Sequence, residues 1–284
     1  MSHRESTLSV VIPAFNEEAG IGGAIRELQQ VLGTTGWRWE LLVVDDGSTD
    51  ATAAHAEACG ARLLRLGRNH GYGAALKAGI DATDSEWILI TDADGTYPAA
   101  GAADLLREAG AGDMIVGSRV SAHLNSPRLR RPAKWILRKY AELLLWHRIP
   151  DLNSGMRLIR RTCVAPFRDL LPPGFSFTST ITLAFLANGL RVSFVPIGYL
   201  GRVGQSKIRP VDFFRMFRQI TAVVLYHFPL RVLYFWGLAL WAASTALLWP
   251  ISPAALLASG TVCGLGAGLA GLLLETRARF KRAR

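Results

Sequence analysis

The chain has 284 residues, half of them hydrophobic, with a formal net charge of +10. That length accommodates one large domain or two smaller ones, and the cation excess calls for a polyanionic partner: nucleic acid, an anionic membrane surface or a phosphorylated substrate. Cys59, Cys163 and Cys263 are too scattered for a disulfide framework or a metal cluster, and read as buried thiols of a reducing compartment.

The first seven residues carry no apolar run, so no cleaved signal peptide is expected. Leu8-Ser-Val-Val-Ile-Pro13 predicts a first strand, ended by a proline that cannot donate to a ladder. A loop over 14–18 precedes a helix over 21–32 with apolar residues at helical spacing. A second strand over 39–44 runs into Asp45-Asp46-Gly47-Ser48-Thr49-Asp50, a turn followed by a helix start for Ser48 or Thr49 to cap. The third strand lies near 62–66. Arg68-Asn69-His70-Gly71-Tyr72-Gly73 is a glycine-rich turn before a helix over 74–82. Trp87-Ile88-Leu89-Ile90-Thr91-Asp92 predicts a fourth strand, buried on both faces and running into Ala93-Asp94-Gly95. A fifth spans 113–117, closed by Ser118-Arg119.

Strands alternating with helices predict an α/β fold with a mostly parallel, doubly wound sheet. Ligands sit beyond the carboxyl ends of such strands, and side chains two apart on an extended segment face the same way. Asp92 and Asp94 can then converge on one divalent cation bridging a nucleotide diphosphate. Alone, the pair reads as a turn. A dinucleotide-binding domain needs Gly-x-Gly-x-x-Gly directly after the first strand. Gly20, Gly22 and Gly23 come late and off that pattern, which excludes it.

Val10-Val-Ile-Pro-Ala-Phe-Asn-Glu-Glu18, Val43-Val-Asp-Asp-Gly-Ser-Thr-Asp50, Asn69-x-Gly-x-Gly-Ala-Ala75 and Asp92-Ala-Asp94 occur in this order. Together they resemble the nucleotide-sugar-binding half of a family 2 glycosyltransferase with the GT-A (Rossmann-like) fold. The resemblance implies that Pro13, Phe15 and Glu17 shape the nucleoside pocket, that Asp45 and Asp46 contact base or ribose, and that Asp92, Ala93 and Asp94 hold the donor. Asp92 and Asp94 would carry Mn²⁺ or Mg²⁺ on the diphosphate. Better-known relatives place an amide two residues past the second aspartate; here Thr96 stands there, and its hydroxyl is the third candidate metal contact.

The segment 125–148 alternates Arg128, Arg130, Arg131, Lys134, Arg138, Lys139 and Arg148 with Trp135, three leucines and Trp146. This pattern describes a helix on an anionic membrane surface; a solvated charged face is the plainer alternative. A nucleic-acid helix reads similarly, but such proteins do not normally end in membrane spans, so no nucleic acid is expected. Ser154-Gly-Met-Arg157 after Asp151, and Arg202-Val-Gly-Gln-Ser-Lys207, resemble the polyprenyl-phosphate branch of the family. By that resemblance Arg119, Arg130 or Arg131, Arg202, Ser206 and Lys207 grip phosphates, with Arg119 and Arg202 acting in catalysis beside Asp92 and Asp94. The interval from Arg202 to Gly204 is one residue shorter than in some relatives. The helix after Phe177 offers only Thr178, Ser179, Thr180 and Thr182 where hydroxyl-using enzymes of the family place an aspartate base. A hydroxyl acceptor needs such a base, whereas a phosphate monoester, with a second pKa of about 6, is already an oxyanion. If the acceptor is a hydroxyl after all, Asp151 is the nearby carboxylate to serve it.

Residues 210–226 have the composition of an interfacial amphipathic helix. The uncharged runs 232–249 and 254–274 each suit one crossing of a hydrocarbon core about 30 Å thick. A tight turn at 250–253 separates them, and Arg277, Arg279, Lys281, Arg282 and Arg284 follow. The positive-inside rule then puts both termini in the cytoplasm. The expected plan is a catalytic domain over 1–208, with 120–150 facing the membrane. An interfacial helix over 209–228, a transmembrane hairpin over 229–276 and a basic tail over 277–284 complete it. Glycines in the second span offer a homo-oligomer contact. The expected activity is inverting transfer of a hexose from a nucleoside diphosphate sugar to an undecaprenyl or dolichyl phosphate, on the cytoplasmic membrane face. Two rivals are a lipid or polysaccharide hydroxyl as acceptor, and a silent membrane-anchored binding subunit.

Overall fold

The computed structural model describes residues 7–119, 131–200 and 211–248, with side chains at 131–134, 211–213, 215–216 and 240–248 left out of the description. Its elements run β1 (Thr7–Ala14), α1 (Ile21–Leu32), β2 (Arg38–Asp45), α2 (Thr52–Ala58), β3 (Arg62–Arg65), α3 (Tyr72–Asp81), β4 (Trp87–Ile90), α4 (Ala100–Arg107) and β5 (Met114–Arg119). After these come α5 (Arg131–Leu145), β6 (Arg157–Arg160), α6 (Phe177–Ala187), β7 (Val192–Ile197), α7 (Val211–His227) and α8 (Pro229–Leu248). Seven strands form one sheet in the order β3-β2-β1-β4-β6-β5-β7, parallel except for β6, which runs against both β4 and β5.

The alternation of the strands divides two cores. Leu8, Val10 and Ile12 face α1 and α4, while Val11, Leu42 and Val44 face α3 and α6. Helices on both faces explain why β1 and β4 read as continuous apolar runs. Helix α3 lies directly on the sheet. A Cβ at Gly79 would fall 2.5 Å from Val11 Cγ1 and 2.9 Å from Val44 Cγ2.

Two strand ends differ from the sequence expectation. β1 continues past Pro13 to Ala14. The Val11 carbonyl accepts from Thr91 on the β4 side and the Ala14 carbonyl from Asp46 on the β2 side. The Pro13 nitrogen therefore turns toward β4, whose pairing with β1 ends at Val11–Ile90, and no ladder bond is lost. β4 in turn stops at Ile90, so Asp92 and Asp94 stand on a turn and not on an extended segment. The antiparallel β6 was not anticipated at all.

A third apolar layer lies beyond α6. Leu137, Ala141 and Leu144 of α5, Leu183 and Leu186 of α6, Ile220, Val223 and Val224 of α7, and Val232 of α8 pack together. Tyr140 stacks on Phe217 with centroids 4.6 Å apart, and its hydroxyl meets Thr221 Oγ1 at 2.8 Å. One face of each helix expected at the membrane is thus buried within the protein. Trp135, Leu143 and Trp146 of the α5 region, Phe214 and Tyr226 of α7, and Leu233 of α8 remain exposed.

Among the described residues, no helix is long and apolar enough to cross a membrane. The expected first crossing coincides with α8, but α8 begins within the third layer: Val232 is buried there, and Arg231 packs over the Trp146 and Phe228 rings. The described part of the expected hairpin thus shows no membrane span. Its second span, its turn and the basic tail lie outside the described residues.

Because α3 seats without space for a methyl group, Gly79→Ala should cost about 1–3 kcal/mol through overpacking. A lowered midpoint in denaturant unfolding, with an unchanged slope, is the expected result.

Candidate functional site

The loops after β1 and β2 are bound to each other before any ligand arrives. Asn16 takes the left-handed conformation (φ 53°). Its N–H donates to Ser48 Oγ (3.0 Å), and its Oδ1 accepts from the Thr49 N–H (2.8 Å). The Glu17 N–H donates to Thr52 Oγ1 (2.8 Å). Neither Ser48 nor Thr49 caps α2, which starts at Thr52 with no side-chain cap; both hold the β1 loop instead. Asp45 Oδ1 accepts the Ser48 N–H (2.9 Å). Asp46 uses both oxygens on the glycine-rich turn, accepting from the His70 and Gly71 N–H groups at 2.7 Å each. Gly47 (φ +78°) lies so near this turn that a Cβ would fall 2.6 Å from Arg68 Cα. Asp46 is thus a brace between two loops. Phe15 and Glu17 are half-buried and Pro13 is buried at the same edge.

Asp92 is held from two sides. The Tyr72 hydroxyl donates to Asp92 Oδ1 (3.0 Å), and Gly155 presses against the carboxylate, where a Cβ would fall 2.7 Å from Oδ2. Tyr72 stacks on Phe175, centroids 5.6 Å apart. Burial, with the Asp92 charge adding to it, raises the Tyr72 phenol well above its ordinary pKa, so it stays a donor. Asp94 Oδ1 accepts both the N–H (3.1 Å) and the hydroxyl (2.6 Å) of Thr96. Thr96 thus orients Asp94, and its hydroxyl oxygen, the expected third metal contact, keeps its lone pairs. Ala93 is buried between the two acids. Among the described residues, no group of three or more His, Cys, Asp or Glu side chains converges as a metal centre. Two carboxylates still suit Mg²⁺ or Mn²⁺, which commonly take their other oxygens from substrate phosphates and water.

The second half of the site comes from β5 and the segment entering β6. Arg119 forms a bidentate pair with Asp151, Nε–Oδ2 2.7 Å and NH2–Oδ1 2.8 Å, with side chains only 16% and 12% exposed. Burial alone would raise the Asp151 carboxyl, but the Arg119 guanidinium outweighs it and holds the pKa below the usual carboxylate range. Asp151 returns the effect, keeping Arg119 firmly charged despite burial. Arg119 also lies over the Tyr199 ring (5.2 Å), which meets Tyr97 edge-on (5.3 Å). The Tyr97 oxygen accepts the Gly155 N–H (2.6 Å). One chain of contacts thus runs from Arg119 to Asp92.

Of the sequence-predicted residues, the structure joins Asp92, Asp94, Thr96 and Arg119, and packs the Asp45–Asp46 loop beside them. Arg131 opens α5, but its side chain is not described; Arg130, Arg202, Ser206 and Lys207 lie outside the described residues. Tyr72, Tyr97, Gly155 and Arg157 were missed as site residues. Tyr72 lies inside the glycine-rich turn, and Gly155 and Arg157 lie inside Ser-Gly-x-Arg, so three of the four stood in motifs already singled out. Tyr97 carries no such signal.

Residues 9–165 match the model of glycosyl transferase family 2. A dolichyl-phosphate hexose transferase of Haloferax volcanii is 31% identical over 205 residues, 72% of this chain and 87% of that protein. An undecaprenyl-phosphate 4-deoxy-4-formamido-L-arabinose transferase of Pseudomonas paraeruginosa is 31% identical over 67% of this chain; the match spans 52% of that longer relative. Among solved structures, glucosyl-3-phosphoglycerate synthase from Mycobacterium tuberculosis, in complex with Mn²⁺, uridine diphosphate and glucosyl-3-phosphoglycerate, superposes with a TM-score of 0.59. It is 25% identical, over 78% of this chain and 80% of that one.

Replacing Asp151 by Asn leaves Arg119 buried without its counter-charge, a change that typically costs about 3–5 kcal/mol. A depressed folded-state pKa contributes stability above the unfolded value near 3.9 and loses it as pH falls through the folded value. Urea unfolding should therefore show Asp151→Asn strongly destabilised at pH 7. The gap to wild type should narrow below about pH 4, as the native carboxyl protonates.

Proposed function

The chain belongs to glycosyl transferase family 2, and on that footing we propose that it moves a hexose, with inversion, from a nucleoside diphosphate sugar to a polyprenyl phosphate at the cytoplasmic face of a membrane. The observation that carries this reading is the state of Asp151. Bound bidentately by Arg119 and held ionised, it is a poor base, and the first turn of α6 adds only hydroxyls. Described residues that offer only a neutralised carboxylate and hydroxyls here suit an acceptor that is already an oxyanion, as a lipid phosphate is near neutral pH. Relatives named as polyprenyl-phosphate sugar transferases support the same acceptor class.

In this mechanism Asp92 and Asp94 hold Mn²⁺ or Mg²⁺; when bound, the cation neutralises charge developing on the leaving diphosphate. The chain's own residues do the rest. Tyr72 and Gly155 fix Asp92, and Thr96 fixes Asp94. The loops carrying Pro13, Phe15, Glu17, Asp45 and Asp46 enclose the nucleoside. Asp151 takes one edge of the Arg119 guanidinium and turns the rest of that planar group to the acceptor phosphate. Arg202, Ser206 and Lys207 join it in this proposal. The Leu200 N–H donates to the Thr96 carbonyl (2.9 Å), so the described segment ends beside the aspartate turn, two residues before Arg202 in the sequence. Arg130 and Arg131 flank the start of α5 and would meet the same phosphate. The lipid phosphate then attacks C1 from the face opposite the leaving diphosphate.

The membrane assignment rests on the exposed aromatic and leucine side chains of α5, α7 and α8 beside a cationic segment. In this proposal residues 229–276 anchor the protein, with both termini cytoplasmic and self-association through the glycine-rich second span. A second reading takes a small phosphorylated acceptor such as phosphoglyceric acid, which the structural neighbour binds in one complex.

Purified protein in detergent, given polyprenyl phosphate, Mn²⁺ and each common nucleotide sugar in turn, should transfer label into the organic phase from one donor. Label found instead on 3-phosphoglycerate would replace the first reading with the second. Asp92→Asn should lower turnover by at least about three orders of magnitude while leaving the thermal midpoint near wild type. Retained turnover in that variant rejects the metal assignment.

A further inference from the structure

Arg157 is fully buried, and among the described residues no carboxylate forms an ion pair with it. The nearby acid, Asp151, is already taken by Arg119. Its NH1 donates to the Thr178 carbonyl (2.9 Å) and to Thr182 Oγ1 (3.1 Å), its NH2 donates to the Ser154 carbonyl, and its Nε has no hydrogen-bond partner. Burial pulls its pKa down to about 10, which leaves it charged at neutral pH. Removing a guanidinium from water without a counter-ion is costly, and structures keep such groups where something else offsets the cost.

Its position shows what that offset can be. Arg157 is the first residue of β6, opposite Ile90 of β4 and Val116 of β5. Those strands lead within two or three residues to Asp92 and to Arg119. Ser154, which accepts from Arg157, directly precedes Gly155, the residue that abuts the Asp92 carboxylate and donates to Tyr97. Thr178 and Thr182 belong to the first turns of α6, next to Phe175, which stacks on the Tyr72 that also holds Asp92. One guanidinium therefore ties three pieces of the site together and places an uncompensated positive charge below it.

We propose that Arg157 is the positioning residue of the donor diphosphate site. Through the Ser154 carbonyl it keeps Gly155 flush against Asp92, through Thr178 and Thr182 it sets α6 against that wall, and its charge balances the anionic diphosphate brought to Asp92 and Asp94. This rests on the donor-site reading of the two aspartates. It makes a demand that a purely structural arginine does not: the diphosphate should be affected more than the nucleoside, and a lysine should recover binding better than it recovers turnover. Lysine restores the charge but, as a point donor, does not span three acceptors in a plane.

The experiment uses the full chain in detergent. Titration calorimetry with Mn²⁺ and uridine or guanosine diphosphate, repeated with the matching monophosphate, is run on wild type, Arg157→Gln and Arg157→Lys, alongside thermal midpoints and steady-state kinetics. Arg157→Gln should weaken diphosphate binding about tenfold or more and monophosphate binding much less. Arg157→Lys should regain most of that affinity with kcat still depressed, and KM for the lipid acceptor should stay near wild type. Diphosphate affinity within about twofold of wild type in a folded Arg157→Gln overturns the proposal, as does an equal loss for both nucleotides. If Arg157→Gln does not fold, Arg157→Lys decides alone: near-native diphosphate affinity with reduced kcat supports the proposal, and affinity lost to the same extent for both nucleotides overturns it. A wild-type chain that binds no nucleoside diphosphate overturns the donor-site reading itself, and this inference with it.

Discussion

Gly155 and Asp92 approach so closely that no side chain fits between them, and much of the site is arranged around that contact. For a segment sixty residues downstream to press on the turn after β4, the chain must return to the carboxyl edge of the sheet and enter a strand from there. A strand entered from that edge runs antiparallel to its neighbours. The reversed β6, inserted between β4 and β5, is the structural consequence, and it brings Asp151, Gly155 and Arg157 beside residues contributed by the parallel strands. Tyr97 closes the arrangement by accepting the Gly155 N–H from the other side of the aspartate turn.

The charges in this region are distributed unevenly. Arg119 and Asp151 neutralise each other in a bidentate pair, so neither is a base or a loose cation. Among the described residues Arg157 has no such partner, and Asp92 and Asp94 lie within two to four residues of the strand it pairs with. An interior of low dielectric strengthens each of these interactions and makes any unbalanced charge costly. A site organised in this way suits a ligand that brings both a cation and several negative oxygens. A metal-bound nucleoside diphosphate has that composition.

The helices α5, α7 and α8 divide their apolar residues between two uses. One set, including Leu144, Val223 and Val232, closes a third core layer against α6. Another, including Trp135, Phe214, Tyr226 and Leu233, faces outward. Since α6 meets Arg157 through Thr178 and Thr182 in its first turns and lines this layer with Leu183 and Leu186, the surface carrying the exposed aromatics is packed onto the same helix that borders the aspartate site. For an acceptor with a polar head and a long hydrocarbon tail, that adjacency has an evident use.

Periodicity and turn chemistry were enough to place β1, α1, β2, β3, α3, β4 and β5 to within about two residues, because each is set by apolar spacing and by nearby Gly, Pro and Asp. The four ordered motifs were enough to identify the family. Local pattern could not disclose β6: Arg-Leu-Ile-Arg is short and charged at both ends, and its strand state comes entirely from the two partners that flank it. Nor could it show that Asp46 braces a loop, that Thr96 serves Asp94, or that Asp151 is bound to an arginine 32 positions away. Those roles follow from which donor meets which acceptor once the sheet is assembled. The amino-acid sequence by itself determined most of the strands and helices, though not β6, and the kind of chemistry available. Only the tertiary structure decided that Asp151 is neutralised by Arg119 while Asp92 is held by Tyr72 and Asp94 by Thr96, because a carboxylate's task depends on the charge and hydrogen bonds beside it, and those come mostly from other parts of the chain.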